Sequence, residues 1–193
     1  MLISLTGPSG VGKGYVKERI LQRFHGIVEL VWTTTRPLRI NEQVGANRKS
    51  IAPEKFTSLH ERELLVCVQA LHGHFYALEK SELERCQGAI GLTETNISNM
   101  GDMSRLVADF LPIALIPSDL GFLRERLTRY RGEKEGEDLE SRLLRAKEEV
   151  RQIRASQQFV LVVEVSKENE TQVPQQVLAF LEERVRQVKG GRT

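Results

Sequence analysis

The segment Gly7-Pro8-Ser9-Gly10-Val11-Gly12-Lys13 decides the fold class of this chain. It follows the apolar run Met1–Thr6 and precedes an amphipathic helical pattern, so it joins a predicted strand to a predicted helix. Glycines at such a turn let backbone N–H groups point inward, and the positive end of the following helix attracts anions. In this motif the lysine reaches the outer phosphates of a nucleotide. The segment therefore predicts a nucleotide-phosphate site.

The residues after the lysine depart from the usual motif. Position 14 is glycine and position 15 is tyrosine, whereas the motif normally offers a Ser or Thr hydroxyl to Mg²⁺. We expect the metal to be held through water, or from elsewhere in the protein. We expect Tyr15 to pack against the sheet, because a large aromatic side chain beside the loop needs burial.

Composition narrows the class of protein. A length of 193 residues fits one folding unit. A net charge of only +2 gives no overall positive field that would attract nucleic acid. Cys67 and Cys86 lack metal-site spacing, and a cytosolic enzyme keeps such thiols reduced. The sequence shows neither a leader pattern nor an apolar stretch of membrane-spanning length. We expect a cytoplasmic monomer or homodimer that binds neither nucleic acid nor membrane.

Short apolar runs alternate with helical patterns along the chain. Apolar runs predict strands at 2–6, 27–32, 113–116 and 159–163. Helical periodicity predicts helices at 13–24 and 97–110, a helix after Ser118 as its cap, and a closing helix from Val173. This order indicates an α/β fold with a parallel sheet flanked by helices, as in P-loop NTPases.

Three segments resemble the guanylate kinase family of nucleoside monophosphate kinases, and the similarity runs to about residue 165. The first is the loop Gly7–Gly14, including its Gly-Pro-Ser-Gly start. The second is Thr34-Thr35-Arg36-Pro37-Leu38-Arg39-Ile40-Asn41-Glu42 with Gly45, which is similar to the element whose arginines bind the acceptor phosphate. The third, Arg126-Leu127, Arg131-Gly132 and Arg142-Leu143, resembles the family's lid.

The resemblance implies one P-loop kinase domain with two mobile parts. Its core would comprise about 1–33, 88–128 and 145–188, with an NMP-binding flap at about 34–87 and a lid at about 129–144. Polar, irregular sequence in the flap region and the charged, glycine-containing stretch in the lid region agree with this division.

The resemblance also assigns roles, with Mg²⁺ as the cofactor and ATP as the donor. Phosphoryl transfer is catalysed chiefly by positioning and positive charge, and planar arginines bind phosphate bidentately. The predicted ATP-binding residues are Gly7, Pro8, Ser9, Gly10, Val11, Gly12, Lys13, Gly14, Tyr15, Arg126 and Arg131. The predicted acceptor-binding residues are Thr35, Arg36, Arg39, Arg48, Tyr76, Thr93 and Glu94, with Glu94 also near the metal's water shell. The predicted catalytic residues are Lys13, Arg131 and Arg142.

The departures from the family concern the bases. Cys67 stands where the family has a glutamate that accepts hydrogen bonds from guanine, and Asn47-Arg48-Lys49 replaces a flap tyrosine. Glu164-Val165-Ser166 stands where the family has an asparagine that touches the donor adenine. Strict guanine specificity is therefore open, with Asn47, Arg48 or Thr93 as alternative base-reading residues.

These residues are compatible with three functions. The first is ATP-dependent phosphorylation of a nucleoside monophosphate, GMP or dGMP above all. The second is a kinase of another nucleotide or of ribose 1,5-bisphosphate, which needs no base reader. The third is a non-catalytic guanylate-kinase-like binding module, a class that usually lacks the phosphate loop retained here.

Overall fold

The structure is a computed structural model that describes residues 1–38, 48–71, 73–131 and 139–190. The side chains of residues 130, 131 and 188–190 are not described. The predicted site residue Arg39, the alternative base reader Asn47 and the lid residues 132–138 therefore lie outside the described residues. The chain divides into two compact units, Met1–Ser4 with Gly26–Leu111 and Leu5–His25 with Pro112–Thr193.

Strands and helices are interspersed along the described residues. The described strands are β1 (Leu2–Thr6), β2 (Ile27–Glu29), β3 (Trp32–Thr34), β4 (Arg48–Ser50), β5 (Leu65–Leu71), β6 (His74–Glu79), β7 (Ile90–Glu94), β8 (Phe110–Pro117) and β9 (Leu161–Val165). The described helices are α1 (Lys13–Arg23), α2 (Pro53–Glu61), α3 (Lys80–Arg85), α4 (Met100–Leu106), α5 (Leu120–Arg131), α6 (Leu139–Ala155) and α7 (Val173–Gly190).

Five strands form the central sheet, in the order β2-β7-β1-β8-β9. The pairs β2–β7 and β8–β9 are parallel, with Ile27 opposite Ile90 and Ile113 opposite Leu161. Strand β1 is buried along its whole length, and β8 is buried from Leu111 onward. Continuous apolar runs of this kind are typical of strands covered on both faces. The predicted α/β class with a parallel sheet flanked by helices is confirmed.

The first unit also contains a four-stranded sheet, in the order β4-β3-β6-β5. Strand β6 pairs antiparallel with both β3 and β5, so Tyr76 lies opposite Thr34 on one side and opposite Gln69 on the other. The register of β5 shifts between Val66 and Gln69, as in a β-bulge. Cys67 lies inside this irregularity with a left-handed φ of 53°.

Two apolar clusters pack this unit. One contains Phe56 of α2 with Leu65 and Ala77. The other joins strand residues of both sheets to α4, and its buried members are Leu2, Leu30, Trp32, Cys67, Leu78 and Met103. Burial of large apolar side chains stabilises each by about 1.5–3 kcal/mol, so these clusters hold the strands that carry the predicted acceptor residues.

In the second unit, helices pack against one another in pairs. Leu123 and Leu127 of α5 pack against Leu143 and Ala146 of α6. Arg23 at the end of α1 forms an ion pair with Glu182 of α7 at 2.7 Å. Within the described ranges, no helix has both the length and the apolar character that a membrane span requires.

The predicted strand 27–32 is wrong in one respect, because the run splits between the two sheets. Strand β2 ends at Glu29, and β3 begins at Trp32. At the break, the Leu30 amide donates to the Leu92 carbonyl, whereas the Val31 amide donates to the Glu82 carboxylate at 2.8 Å. A continuous apolar run does not reveal where the chain leaves one sheet for another.

Two helix boundaries also differ from the prediction. The predicted helix 97–110 is a 3₁₀ turn, Ile97–Asn99, followed by α4, and β8 already begins at Phe110. The predicted cap Ser118 is replaced by Asp119, whose Oδ1 accepts a hydrogen bond from the Phe122 amide at 2.8 Å. That hydrogen bond lowers the pKa of Asp119 and holds the first turn of α5.

Candidate functional site

The loop between β1 and α1 has the backbone that its glycines predict. Gly7, Gly10 and Gly12 have φ values of 142°, 88° and 116°, which side-chain-bearing residues rarely adopt. A β-carbon on Gly10 would lie 2.9 Å from Leu127 Cδ2, so this glycine also allows α5 to pack closely. The loop is thus confined by its own conformation and by α5.

Lys13 closes the loop at the start of α1. Its Nζ donates to the Gly7 carbonyl and, at 3.1 Å, to the Pro8 carbonyl. Of the described side chains, none caps the first turn of α1, whose N-cap residue is Gly12. The helix therefore presents its first N–H groups to the loop, as anion binding requires.

Gly14 is exposed, and a β-carbon built on it would meet nothing within 4 Å. The expectation that Tyr15 packs against the sheet is wrong, because its side chain is 39% exposed. Tyr15 lies on the solvent face of α1, whereas Val16 and Ile20 form the buried face. Arg19 covers the tyrosine ring at 5.2 Å from its centroid.

Arg126 of α5 is held by neighbours in the same unit. Its Nη1 forms an ion pair with the Glu170 carboxylate, and its guanidinium lies 5.5 Å from the centre of the Phe122 ring. A shallow groove surrounds this pair, lined by Phe122, Glu125, Arg126, Arg129, Lys167 and Glu170. Arg126 thus lies in the wall of this groove, ion-paired to Glu170 and packed on Phe122.

Arg142 and Glu149 lie on one side of α6, together with the buried Ala146, because residues spaced by three and four share a helix face. Both side chains are half-buried. Burial raises the pKa of Glu149, and the positive charge of Lys13 partly offsets this rise. Sequence reasoning missed Glu149 as a neighbour of the loop lysine, because only tertiary packing places them near each other.

Only part of the predicted lid lies within the described residues. Arg131 is the last residue of α5, and its side chain is not described. Helix α6 begins at Leu139, so Arg142 lies in its first turns. The roles of Arg131 and Arg142 stay predictions.

The predicted acceptor-phosphate element in the first unit is anchored by its threonines. Thr34 is fully buried, and its Oγ1 accepts from the Arg36 amide at 3.0 Å. Thr35 exchanges two hydrogen bonds with Phe75, through its amide at 3.0 Å and its hydroxyl at 2.9 Å. The Arg36 guanidinium donates to the Pro37 carbonyl at 2.8 Å. Thr34 and Thr35 therefore hold the backbone that carries Arg36.

Phe75 and Tyr76 are adjacent residues of β6 with different surroundings. Phe75 stacks on Phe56 of α2, with ring centres 5.4 Å apart. Tyr76 is half-buried and lies directly opposite Thr34 across the β3–β6 pair. Because residues opposite each other share a face of the sheet, Tyr76 is on the face of Thr34, the residue that orients the Arg36 amide.

Thr93 and Glu94 lie at the carboxyl end of β7, the edge at which parallel sheets bind ligands. Thr93 is buried, and its hydroxyl accepts from the Trp32 indole at 2.8 Å. Glu94 is half-buried. The structure thus places the Thr93 hydroxyl inside the unit, although the sequence suggests it as a substrate ligand.

Arg48 begins β4 and lies opposite Trp32. The next residue, Lys49, forms an ion pair with Glu79 at 2.5 Å. Burial alone would raise the pKa of Glu79, but hydrogen bonds from Lys49 and Thr33 outweigh burial and lower it. This pair fixes β4 to the sheet on the side of Lys49.

Cys67, which stands at the position of the family's base-reading glutamate, is a core residue here. Its side chain is 4% exposed and packs in the cluster of Trp32, Leu78 and Met103. Burial raises the pKa of the thiol to about 12, with a smaller contribution from Asp102. The side chain is therefore a neutral, buried thiol.

The segment after β9 has a local role. Asn169 accepts from the Ser166 amide at 2.8 Å and donates to the Glu164 carbonyl at 2.9 Å. It thereby holds the turn that carries Glu170, the partner of Arg126.

The chain is similar to known kinases over most of its length. A guanylate kinase of Prochlorococcus marinus is 36% identical over 160 residues, which cover 82% of this chain and 85% of that protein. A guanylate kinase of Trichodesmium erythraeum is 33% identical over 153 residues, 77% of this chain and 81% of that protein. The chain belongs to the guanylate kinase family. No protein-family model matches it.

Solved structures agree with guanylate kinase family membership at the level of the fold. The crystal structure of a guanylate kinase from Anaplasma phagocytophilum superimposes with a TM-score of 0.70 at 20% identity, covering 95% of this chain and 85% of that one. The resemblance inferred from the loop, the Thr-Thr-Arg element and the lid arginines is thus confirmed for family and fold class.

Proposed function

We propose that this protein transfers the γ-phosphoryl group of ATP to a nucleoside monophosphate, GMP or dGMP, and releases ADP with GDP or dGDP. The observation that carries this proposal is the loop itself. Its glycines have positive φ, and no described side chain caps the helix that follows it. Lys13 Nζ donates hydrogen bonds to the loop carbonyls of Gly7 and Pro8. Relatives of 36% and 33% identity named guanylate kinases support the same reaction.

On the donor side, the loop amides and Lys13 would bind the β- and γ-phosphates, because backbone N–H groups and a lysine ammonium match their charge. Arg126, beside its groove, would lie against the donor base or its phosphates. Arg131 and Arg142 would approach the transferring group when the lid closes and exclude water from it. On binding, a phosphate oxygen would take the place of the Gly7 and Pro8 carbonyls that accept hydrogen bonds from Lys13 Nζ.

On the acceptor side, Arg36 and Tyr76 would bind the monophosphate, with Arg39 as a predicted third group. The threonine hydrogen bonds that hold Arg36 reduce the entropy lost on binding. The acceptor oxygen is already anionic, so the chemistry needs no general base. The residues have only to orient this oxygen in line with the γ-phosphorus.

Mg²⁺ would neutralise the phosphate charge that develops during transfer. Among the residues that the structure describes, no group of three or more His, Cys, Asp or Glu side chains could hold a metal. The half-buried Glu94 offers a carboxylate at the ligand edge of the sheet, and Gly14 offers no hydroxyl. With these residues, the metal would be held mainly by phosphate oxygens and water, and Glu94 would accept hydrogen bonds from that water.

The test is ADP release from ATP and Mg²⁺ with GMP, dGMP, AMP, CMP, UMP, dTMP and ribose 1,5-bisphosphate as acceptors. Lys13→Ala should abolish turnover, and Lys147→Ala, an exposed lysine of α6, should leave it unchanged. Turnover with GMP or dGMP supports the proposal. Turnover with ribose 1,5-bisphosphate alone would replace the acceptor, and silence from folded protein that binds ATP would favour a binding module.

A further inference from the structure

We propose that Gln69, rather than Cys67, reads the base of the acceptor nucleotide, by donating a hydrogen bond to the 6-oxo group of a purine. This inference rests on the proposed function. It names the residue that would select the substrate in a chain whose Cys67 is buried in the core.

The bulge in β5 places Gln69 on the face that carries the predicted phosphate ligand. Gln69 lies directly opposite Tyr76, and Tyr76 lies directly opposite Thr34. Opposed residues of antiparallel pairs share a face, so the three side chains form a row across β5, β6 and β3. Cys67, two residues earlier, has a φ of 53° and packs into the core. Bulges redirect side chains in this way.

Neighbours hold the Gln69 amide in one orientation. Its Oε1 accepts from Asn96 Nδ2 at 3.1 Å and from Ser98 Oγ at 3.5 Å. Asn96 follows β7 at the ligand edge of the central sheet, two residues after Glu94. Among the described residues, the Gln69 Nε2 has no hydrogen-bond partner. The amide oxygen is therefore occupied, and the amide N–H groups remain available on this face.

A fixed N–H donor favours a carbonyl oxygen as its partner. Guanine and hypoxanthine carry such an oxygen at position 6, whereas adenine carries an amino group, which is itself a donor. Two opposed donors leave a buried polar group unpaired, and such mismatches discriminate strongly. Gln69 would thus select 6-oxopurines over adenine. Because it does not read the 2-amino group, it would bind the bases of GMP and IMP alike.

The experiment compares kcat/KM for GMP, IMP and AMP in the wild type and in four variants, with calorimetric binding of each monophosphate in the absence of ATP. Gln69→Leu removes the donor at similar size, and Asn96→Ala frees the amide to rotate. Gln87→Leu is the matched control, because Gln87 is an exposed glutamine of the same unit. Cys67→Ala tests whether the residue at the position of the family's glutamate contributes to base selection.

We expect Gln69→Leu to reduce kcat/KM and affinity for GMP and IMP about tenfold or more while AMP changes little, so that the GMP-to-AMP preference falls by the same factor. Asn96→Ala should lower the GMP-to-AMP preference less, and Gln87→Leu and Cys67→Ala should leave this preference unaltered. A preference within twofold of wild type in Gln69→Leu overturns the inference alone, as does an equal loss in Gln87→Leu. A wild type that neither binds nor phosphorylates any of the three overturns the proposed function as well.

Discussion

A β-carbon on Gly7 would lie 2.0 Å from the carbonyl oxygen of Leu115, inside the 3.0 Å limit that real β-carbons respect. The overlap would set the first residue of the glycine-rich loop against the main chain of β8, which cannot move aside as a flexible side chain can. The φ of Gly7, 142°, adds a backbone conformation that side-chain-bearing residues avoid. Both the position and the shape of the loop therefore depend on this glycine.

Gly7→Ala should destabilise the protein by more than about 2 kcal/mol, because steric overlap and an unfavourable φ act together. Gly14→Ala is the matched control, since a β-carbon there meets nothing within 4 Å and lies in a helix. It should stabilise the protein by about 0.4–1 kcal/mol. Urea unfolding of both variants measures the difference, and equal stabilities would contradict the contact.

Gly14→Ser should lower the Mg²⁺ concentration needed for half-maximal turnover, by about tenfold, because it restores a hydroxyl that such loops offer to the metal. The open space at Gly14 allows the larger side chain. Magnesium titration of turnover at fixed ATP checks this, with Gly14→Ala separating the hydroxyl from helix propensity. An unchanged Mg²⁺ requirement would show that the loop hydroxyl has no place in this site.

Arg36→Lys should raise the KM for the acceptor about tenfold and change kcat less, because lysine keeps the charge but loses bidentate phosphate binding. Arg62→Lys, at an exposed arginine after α2, should change neither constant. Steady-state kinetics with GMP as the varied substrate measures both. Equal effects of the two substitutions would remove Arg36 from the acceptor site.

Glu149→Gln should stabilise the protein at neutral pH, because burial raises the carboxyl pKa above its ordinary value of 4.5. The native state then binds the proton more tightly than the unfolded state, so the wild type loses stability as pH rises through this window. The advantage of glutamine should shrink as pH falls and vanish below 4.5. Urea midpoints from acid to neutral pH test the trend.

The pKa of the neighbouring Glu148 shifts in the opposite direction, so its effect on stability has the opposite pH dependence. A hydrogen bond from Arg151 lowers its pKa to about 2, so its contribution is present above 4.5 and is lost as pH falls toward the lower value. Because the pair is exposed, Glu148→Gln should cost little at neutral pH. Stabilisation by both substitutions would contradict the role of burial at Glu149.

Local chemistry explains what the sequence could predict. The loop from Gly7 to Lys13 is a short-range pattern, and its strand, turn and helix occupy the predicted positions. The strand boundary at Trp32 depends instead on its backbone pairing with β4 and β6, and the exposure of Tyr15 depends on which face of α1 is buried. Both are decided by tertiary contacts rather than by periodicity.

The bulge in β5 is a structural feature that the hydrophobic pattern of the sequence does not predict. The resemblance to the family aligns Cys67 with the base-reading glutamate by its position along the chain, which assumes one residue for every step along the partner strand. The irregular register between Val66 and Gln69 breaks this assumption, and a cysteine at positive φ carries no compositional signal of it. The proximity of Glu149 to Lys13 is likewise a product of helix packing.

Trp32 is the sole tryptophan of the chain, and it lies in the unit that holds the predicted acceptor residues. Its side chain is only 7% exposed, and its indole donates to Thr93. The protein therefore contains a native fluorophore for one unit. Its emission should follow the melting of that unit and any rearrangement around β3 when a nucleotide binds, while circular dichroism follows the helices of both units together.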